Sequence, residues 1–181
     1  HYSVCCSTAT YDWYSLRDNR NKPLEDRALD GQFEPGSIAK IMTAAAALEA
    51  HVDMAKIFPF QAPTSMMIEG KLFRDWADHG RIRSLKEAMD VSSNIALYKG
   101  AKALGSDALL RMTNRFGFNK PLDMGFTLSS GRHFDIQAAT SLAPQTPDND
   151  FALANRACGL GTDFRISPLQ AARMASVIAN K

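Results

Sequence analysis

"FEPGSIAKIMTAAAALEA", residues 33–50, is the stretch whose reading decides the fold. Its second half is alanine-rich, with Ile38, Ile41, Met42, Ala45 and Leu48 at helical spacing, which predicts a buried helix from Ser37 to Ala50. Pro35-Gly36 forms a tight entry and leaves Ser37 at the helix start, three residues before Lys40. Two readings compete there. Ser37 is an N-cap followed by a solvated lysine, or it is a nucleophile whose base is Lys40. A Ser-x-x-Lys pattern arises by chance in about every second chain of this size, so on spacing alone the cap reading is favoured.

The nucleophile reading has definite physical requirements. A serine hydroxyl is weakly nucleophilic and needs a base within hydrogen-bond reach. Positions three apart share a helix face, so Lys40 can curl back toward Ser37. A lysine with the ordinary pKa of about 10.4 is neutral in only about one molecule in a few thousand at pH 7. Burial lowers that pKa, and the side of the helix carrying Lys40 also carries Ile41 and Ala44. The helix start adds backbone amides and a positive dipole end where an oxyanion would form.

Outward from this helix, residues 1–10, "HYSVCCSTAT", suit the end of a strand, and residues 11–33 read as a polar surface connection. Residues 59–80 are interrupted by Pro59, Pro63 and Gly70 and are expected to hold a short hairpin. "SLKE" at 84–87 reads as a capping box opening a helix to Asp90. Two further helices follow, closed by Gly105 and Gly117. Residues 119–150 read as loop-rich, and "ISPLQAARMASVIANK" as a helix capped by Ser167 with Leu169, Ala172 and Ile178 on one side. Between the helix ending at Asp90 and the next lies Ser92-Ser93-Asn94. There Ser92 can relay a proton and Asn94 can hold a substrate amide or the lysine, although both residue types also commonly satisfy backbone groups at such junctions.

The chain has 181 residues, 45% hydrophobic and 22% charged, with a formal net charge of +2, the balance of one globular domain. No block of like charge suggests nucleic acid as a partner. Cys5, Cys6 and Cys158 are too few for a disulfide scaffold, and the spacing of the four histidines gives no metal motif, so no metal or cofactor is expected. Trp76 and Cys158 are read most simply as a half-buried loop aromatic and a buried filler, and Met42, Met89 and Met174 as core. A start on His1 and a stop within a helical pattern lead to the expectation that the sequence is part of a longer protein.

Taken in order, the two motifs and their flanks resemble the penicillin-binding, serine acyl-transferase superfamily, and within it the monofunctional transpeptidases of bacterial cell-wall synthesis. The resemblance rests on "TYD" at 10–12, "PLEDRALDGQFEPGSIAK" at 23–40, "SLKEAMDVSSNIAL" at 84–97, "RFGFNKP" at 115–121 and "GLGTDFRISPLQAARMASVIAN" at 159–180. It implies an α/β fold, a mostly antiparallel sheet flanked by helices. Residues 1–181 would be a partial transpeptidase domain that is mainly the helical part, without the first strand and the C-terminal strands. It implies Ser37 as the acylated nucleophile, Lys40 as its general base, Ser92 as the proton shuttle to the leaving amine and Asn94 as a contact to substrate.

The substrate so implied is the D-Ala-D-Ala end of a peptidoglycan stem peptide, with β-lactams as covalent inhibitors and cell-wall synthesis membrane proteins as candidate partners. The site would face the periplasm or cell exterior, in a protein anchored in the membrane. The family's Lys-Thr/Ser-Gly motif does not occur in this sequence. The alternatives are a serine β-lactamase, a β-lactam-sensing receptor domain or a non-catalytic structural module. No Glu-x-x-Leu-Asn deacylation pattern is present, and Asn94 favours a penicillin-binding protein over the lactamases that use a lysine carbamate.

Overall fold

The computed structural model describes residues 27–143 and 146–180. The expectations for residues 1–26, including the strand end, "TYD" and the Cys5-Cys6 pair, lie outside the described residues. The described residues fall into two units, one of residues 34–116 with 143 and 146–164, the other of residues 27–33, 117–142 and 165–180.

The first unit is built on helices. A 3-10 turn over Gly36–Ala39 runs directly into α1, Lys40–Glu49. Lys40, Met42, Thr43, Ala46 and Ala47 form its buried face, whereas Ile38 and Leu48 are exposed. Of the side chains expected to define the face, Met42 is buried, Ile41 and Ala45 are half-buried, and Ile38 and Leu48 point to solvent. The alanines fit because small side chains let neighbouring helices approach closely, which the bulkier Ile38 and Leu48 would prevent.

After α2, Leu85–Asp90, comes α3, Asn94–Leu104, whose Ile95, Ala96, Leu97 and Ala101 are completely buried. Burying each such leucine or isoleucine contributes about 1.5–3 kcal/mol. α3 packs against α1, α2, α4 (Ser106–Arg115) and α5 (Asp150–Cys158). α5 went unread in the sequence, although Asn149 caps it and Gly159 ends it in the left-handed region at φ 75°.

Two short antiparallel pairs cover this core. β1 (Phe60–Gln61) pairs with β4 (Arg81–Ile82), and β2 (Ser65–Ile68) forms the expected hairpin with β3 (Lys71–Arg74). Glu69 and Gly70 turn that hairpin with φ of 50° and 76°, the positive pair that matches the twist of two strands. Ile68 and Phe73 face the core while their strand neighbours Met67 and Leu72 are exposed.

The second unit holds the hairpin of β5 (Leu122–Thr127) and β6 (His133–Ala138), and α6 (Pro168–Ala179). This hairpin corrects the loop-rich reading of 119–150. Prolines and small polar residues flank the stretch, but "LDMGFT" and "HFDIQA" alternate apolar and polar with period two, the stronger signal. Phe33 bridges Ile166 and Leu142 bridges Arg165, both antiparallel, and Leu29, Leu122 and Leu169 pack together. Ser167 caps α6 as expected, but Met174 and Gln170 are buried with Leu169 while Ile178 is 53% exposed. Among the described residues the fold is thus helix-rich with small antiparallel pairs. No described helix is long and apolar enough to cross a membrane.

Candidate active site

Ser37 lies exposed in the 3-10 turn ahead of α1, and Lys40, one turn on, is only 1% exposed. Pro35 occupies the cap position and provides no side-chain cap. The structure therefore corrects the cap reading of Ser37: its hydroxyl accepts from that of Ser92 at 3.1 Å. The expected contact from Lys40 is also rerouted. Lys40 Nζ donates to Ser92 Oγ at 2.9 Å and to the Ser92 carbonyl at 2.6 Å, so Ser92 stands between lysine and Ser37.

The second motif forms a corner between α2 and α3. Ser92 holds φ at 54° and Ser93 caps α3 by accepting from the Ala96 amide. A non-glycine residue in the left-handed region is uncommon, and here it turns both the carbonyl and the hydroxyl of Ser92 to Lys40. Asn94 opens α3. Its side-chain amide donates to the Arg74 carbonyl at 3.0 Å.

Burial drives the Lys40 ammonium below its usual 10.5, against the pull of Cys158 and Asp75. Cys158 supplies little countercharge at neutral pH, because burial pushes its thiol up to about 12. That thiol is 1% exposed and donates weakly to the Asn94 carbonyl, the buried filler expected. A lysine with few compensating charges reaches its neutral, basic form at lower pH than a solvated one.

Two residues of the site escaped the sequence reading. The side chain of Asp75 is fully buried after β3 and accepts from the Ser93 hydroxyl and the amides of Asn94, Ile95 and Trp76. Burial pushes its carboxyl up, but these hydrogen bonds outweigh it and hold the group below the usual 3.8. No spacing rule ties Asp75 to a serine eighteen positions on. The other is Gly159, whose carbonyl accepts from the Gly36 amide at 2.8 Å. A Cβ built on Gly159 would lie 1.9 Å from the Gly36 carbonyl oxygen, so only glycine fits against the turn that carries Ser37.

Trp76, expected to be half-buried, is 69% exposed; its indole donates to the Val91 carbonyl at 3.0 Å, beside Ser92. Among the described residues no group of three or more His, Cys, Asp or Glu side chains is placed to hold a metal.

Comparison with known proteins gives a consistent result. The family model "Penicillin binding protein transpeptidase domain" matches residues 6–181. "Peptidoglycan D,D-transpeptidase PbpA" of Mycobacterium tuberculosis is 32% identical over 174 residues, 93% of this chain and 33% of that protein. The structure of penicillin-binding protein A from M. tuberculosis as a penicillin G acyl-enzyme matches with TM-score 0.73 at 29% identity, over 93% of this chain and 37% of that one. The D,D-transpeptidase domain of a peptidoglycan glycosyltransferase from Eggerthella lenta matches with TM-score 0.74 at 26% identity, over 92% of this chain and 41% of that one. The chain spans about a third of the length of the curated relative it matches.

Proposed function

The chain belongs to the penicillin-binding protein transpeptidase domain family, and on that basis we propose that it carries the acylating half of a peptidoglycan D,D-transpeptidase. The observation that carries this reading is the connected trio of Ser37, Ser92 and Lys40, with an exposed nucleophile at one end and a buried, depressed lysine at the other.

Ser37 Oγ attacks the carbonyl carbon of the D-Ala-D-Ala bond, and its proton passes to neutral Lys40, directly or through Ser92. Charge develops on the carbonyl oxygen beside the start of the helix, whose dipole favours it. As the C–N bond breaks, Ser92 delivers the proton to the departing amine of the terminal D-alanine. An amine of a second stem peptide then attacks the ester at Ser37 and restores the hydroxyl. A β-lactam presents the same carbonyl, but its leaving amine stays tethered, which holds the serine acylated. Asn94 contacts the substrate peptide from the first turn of α3. Such chemistry belongs at the extracytoplasmic face of the membrane, where peptidoglycan is cross-linked.

The test is labelling with a fluorescent penicillin, followed by mass analysis of the peptide containing Ser37. A stoichiometric adduct on Ser37 that is lost in Ser37→Ala is expected; an adduct elsewhere, or rapid turnover without accumulation, overturns the reading. Because the sequence contains no Lys-Thr/Ser-Gly, residues 1–181 alone are expected to label more slowly than the full-length protein. The resemblance implies that the strand carrying that motif lends an oxyanion donor, and a missing donor costs about a hundredfold to a thousandfold.

A further inference from the structure

We propose that Asp75 is a positioning residue that sets the Ser92-Ser93-Asn94 corner: its buried carboxylate grips the start of α3 from outside and thereby fixes Ser92 between Lys40 and Ser37. The inference rests on the transpeptidase reading for what the corner does, and on geometry for the grip itself.

Asp75 Oδ2 accepts from the Ser93 hydroxyl at 2.6 Å and from the Ile95 amide at 3.3 Å, while Oδ1 accepts from the Asn94 amide at 2.9 Å. All three donors lie in the three residues that follow Ser92. A carboxylate at a helix N-terminus satisfies amides that have no partner within the helix, and charged hydrogen bonds of this kind are short and strong. The Ser93 hydroxyl is committed twice, donating to Asp75 and accepting from the Ala96 amide, so it cannot rotate toward Ser37 in place of Ser92.

The grip is also anchored from behind. Asp75 follows β3, whose Arg74 carbonyl accepts from the Asn94 side chain, so the strand end and the helix start are pinned by backbone and side chains together. His79 Nε2 lies 3.2 Å from Asp75 Oδ1 with its side chain 5% exposed, though not aligned to donate. The groups facing Lys40 are then the hydroxyl and carbonyl of Ser92, the Cys158 thiol on α5 and the Asp75 charge; those facing Asp75 are His79 and the donors named above. Asp75 thus acts on Lys40 in two ways. It places the lysine's hydrogen-bond partner, and its negative charge favours the ammonium form.

These roles separate experimentally. In the full-length protein, the rate of acylation by fluorescent penicillin is measured across pH for the wild type, Asp75→Asn and Ser93→Ala. The Lys40 side chain is titrated by its carbon chemical shift, a readout independent of acylation. Asp75→Asn keeps the shape but removes the charge. Its acylation is expected to fall about tenfold to a hundredfold, the effect of a displacement of about 1 Å at the reacting atoms. Its Lys40 midpoint is expected below the wild-type value, because the carboxylate that raised it is gone. Ser93→Ala, which retains the charge, is expected to slow acylation less and to leave the Lys40 midpoint above that of Asp75→Asn.

Wild-type acylation in Asp75→Asn overturns the proposal, as does a Lys40 midpoint that rises, the sign of a corner that has simply opened to water. If Asp75→Asn does not fold, Ser93→Ala decides, slowed acylation supporting the grip and unchanged acylation overturning it. If the wild type is not acylated at all, the transpeptidase reading fails, and the comparison of Lys40 midpoints still judges Asp75.

Discussion

Ser84, Ser93 and Ser167 each stand just before a helix and accept a hydrogen bond from the amide three residues ahead. Ser37 stands ahead of α1 inside the 3-10 turn, where its hydroxyl meets Ser92 and Pro35 takes the turn's cap position without supplying a side-chain acceptor. An N-cap hydroxyl contributes about 0.5–2 kcal/mol. The turn that leads into α1 forgoes that stabilisation, and the hydroxyl it releases meets Ser92, which in turn accepts from Lys40. These three capping serines hold the fold, whereas Ser37 turns its hydroxyl to Ser92.

The largest effects should break this contrast if it is wrong. Ser37→Ala is expected to abolish labelling by fluorescent penicillin while leaving stability within about 0.5 kcal/mol, since no cap is lost; a fall in melting temperature of several degrees would show that Ser37 is structural after all. Lys40→Met is likewise expected to abolish labelling. Here stability separates the roles, because a depressed lysine pKa means the unfolded chain binds more protons between the folded value and 10.5. The wild type should therefore gain stability relative to Lys40→Met as pH rises through that window, and lose it as pH falls through the depressed value. Paired thermal melts across pH measure the difference, and a flat one would mean that Lys40 is not strained by burial.

Gly159→Ala comes next. The new Cβ meets the Gly36 carbonyl, and the left-handed backbone disfavours any side chain. Overpacking of this kind costs about 1–3 kcal/mol, read by denaturant unfolding, and labelling should slow because the turn carrying Ser37 must move. The smallest effect sharpens the contrast from the other side. Ser84→Ala should lose about 1 kcal/mol of stability with no change in labelling; altered labelling would mean that α2 is coupled to the site.

The two short motifs were legible as patterns, and Ser92 and Asn94 do sit at a helix junction, with Ser92 in hydrogen-bond reach of Ser37. What spacing could not reveal was the route. Geometry at three residues apart suggested a direct lysine-to-Ser37 contact, whereas the positive φ of Ser92 inserts it between them, and backbone strain leaves no mark on a single sequence. Asp75 was hidden for a related reason: it is local to a hairpin whose end reaches α3 only through tertiary packing. The hairpin β2–β3 and the helices α2 to α4 and α6 were readable because caps and turn residues act locally. α5 and the β5–β6 hairpin carried their signals too, but prolines and small polar residues in the neighbouring stretches drew the reading toward loops.

Cys158 offers a clock for the layer beneath the site. Its sulfur is enclosed between α5 and the Asn94 carbonyl, and a thiol pushed up to about 12 presents almost no thiolate at neutral pH. Alkylation of Cys158 in the native protein, followed on its own peptide, therefore waits for α5 to lift away, so its rate counts how often the floor under Lys40 opens. Protection that increases once Ser37 is acylated would show that the covalent adduct tightens the helices below it.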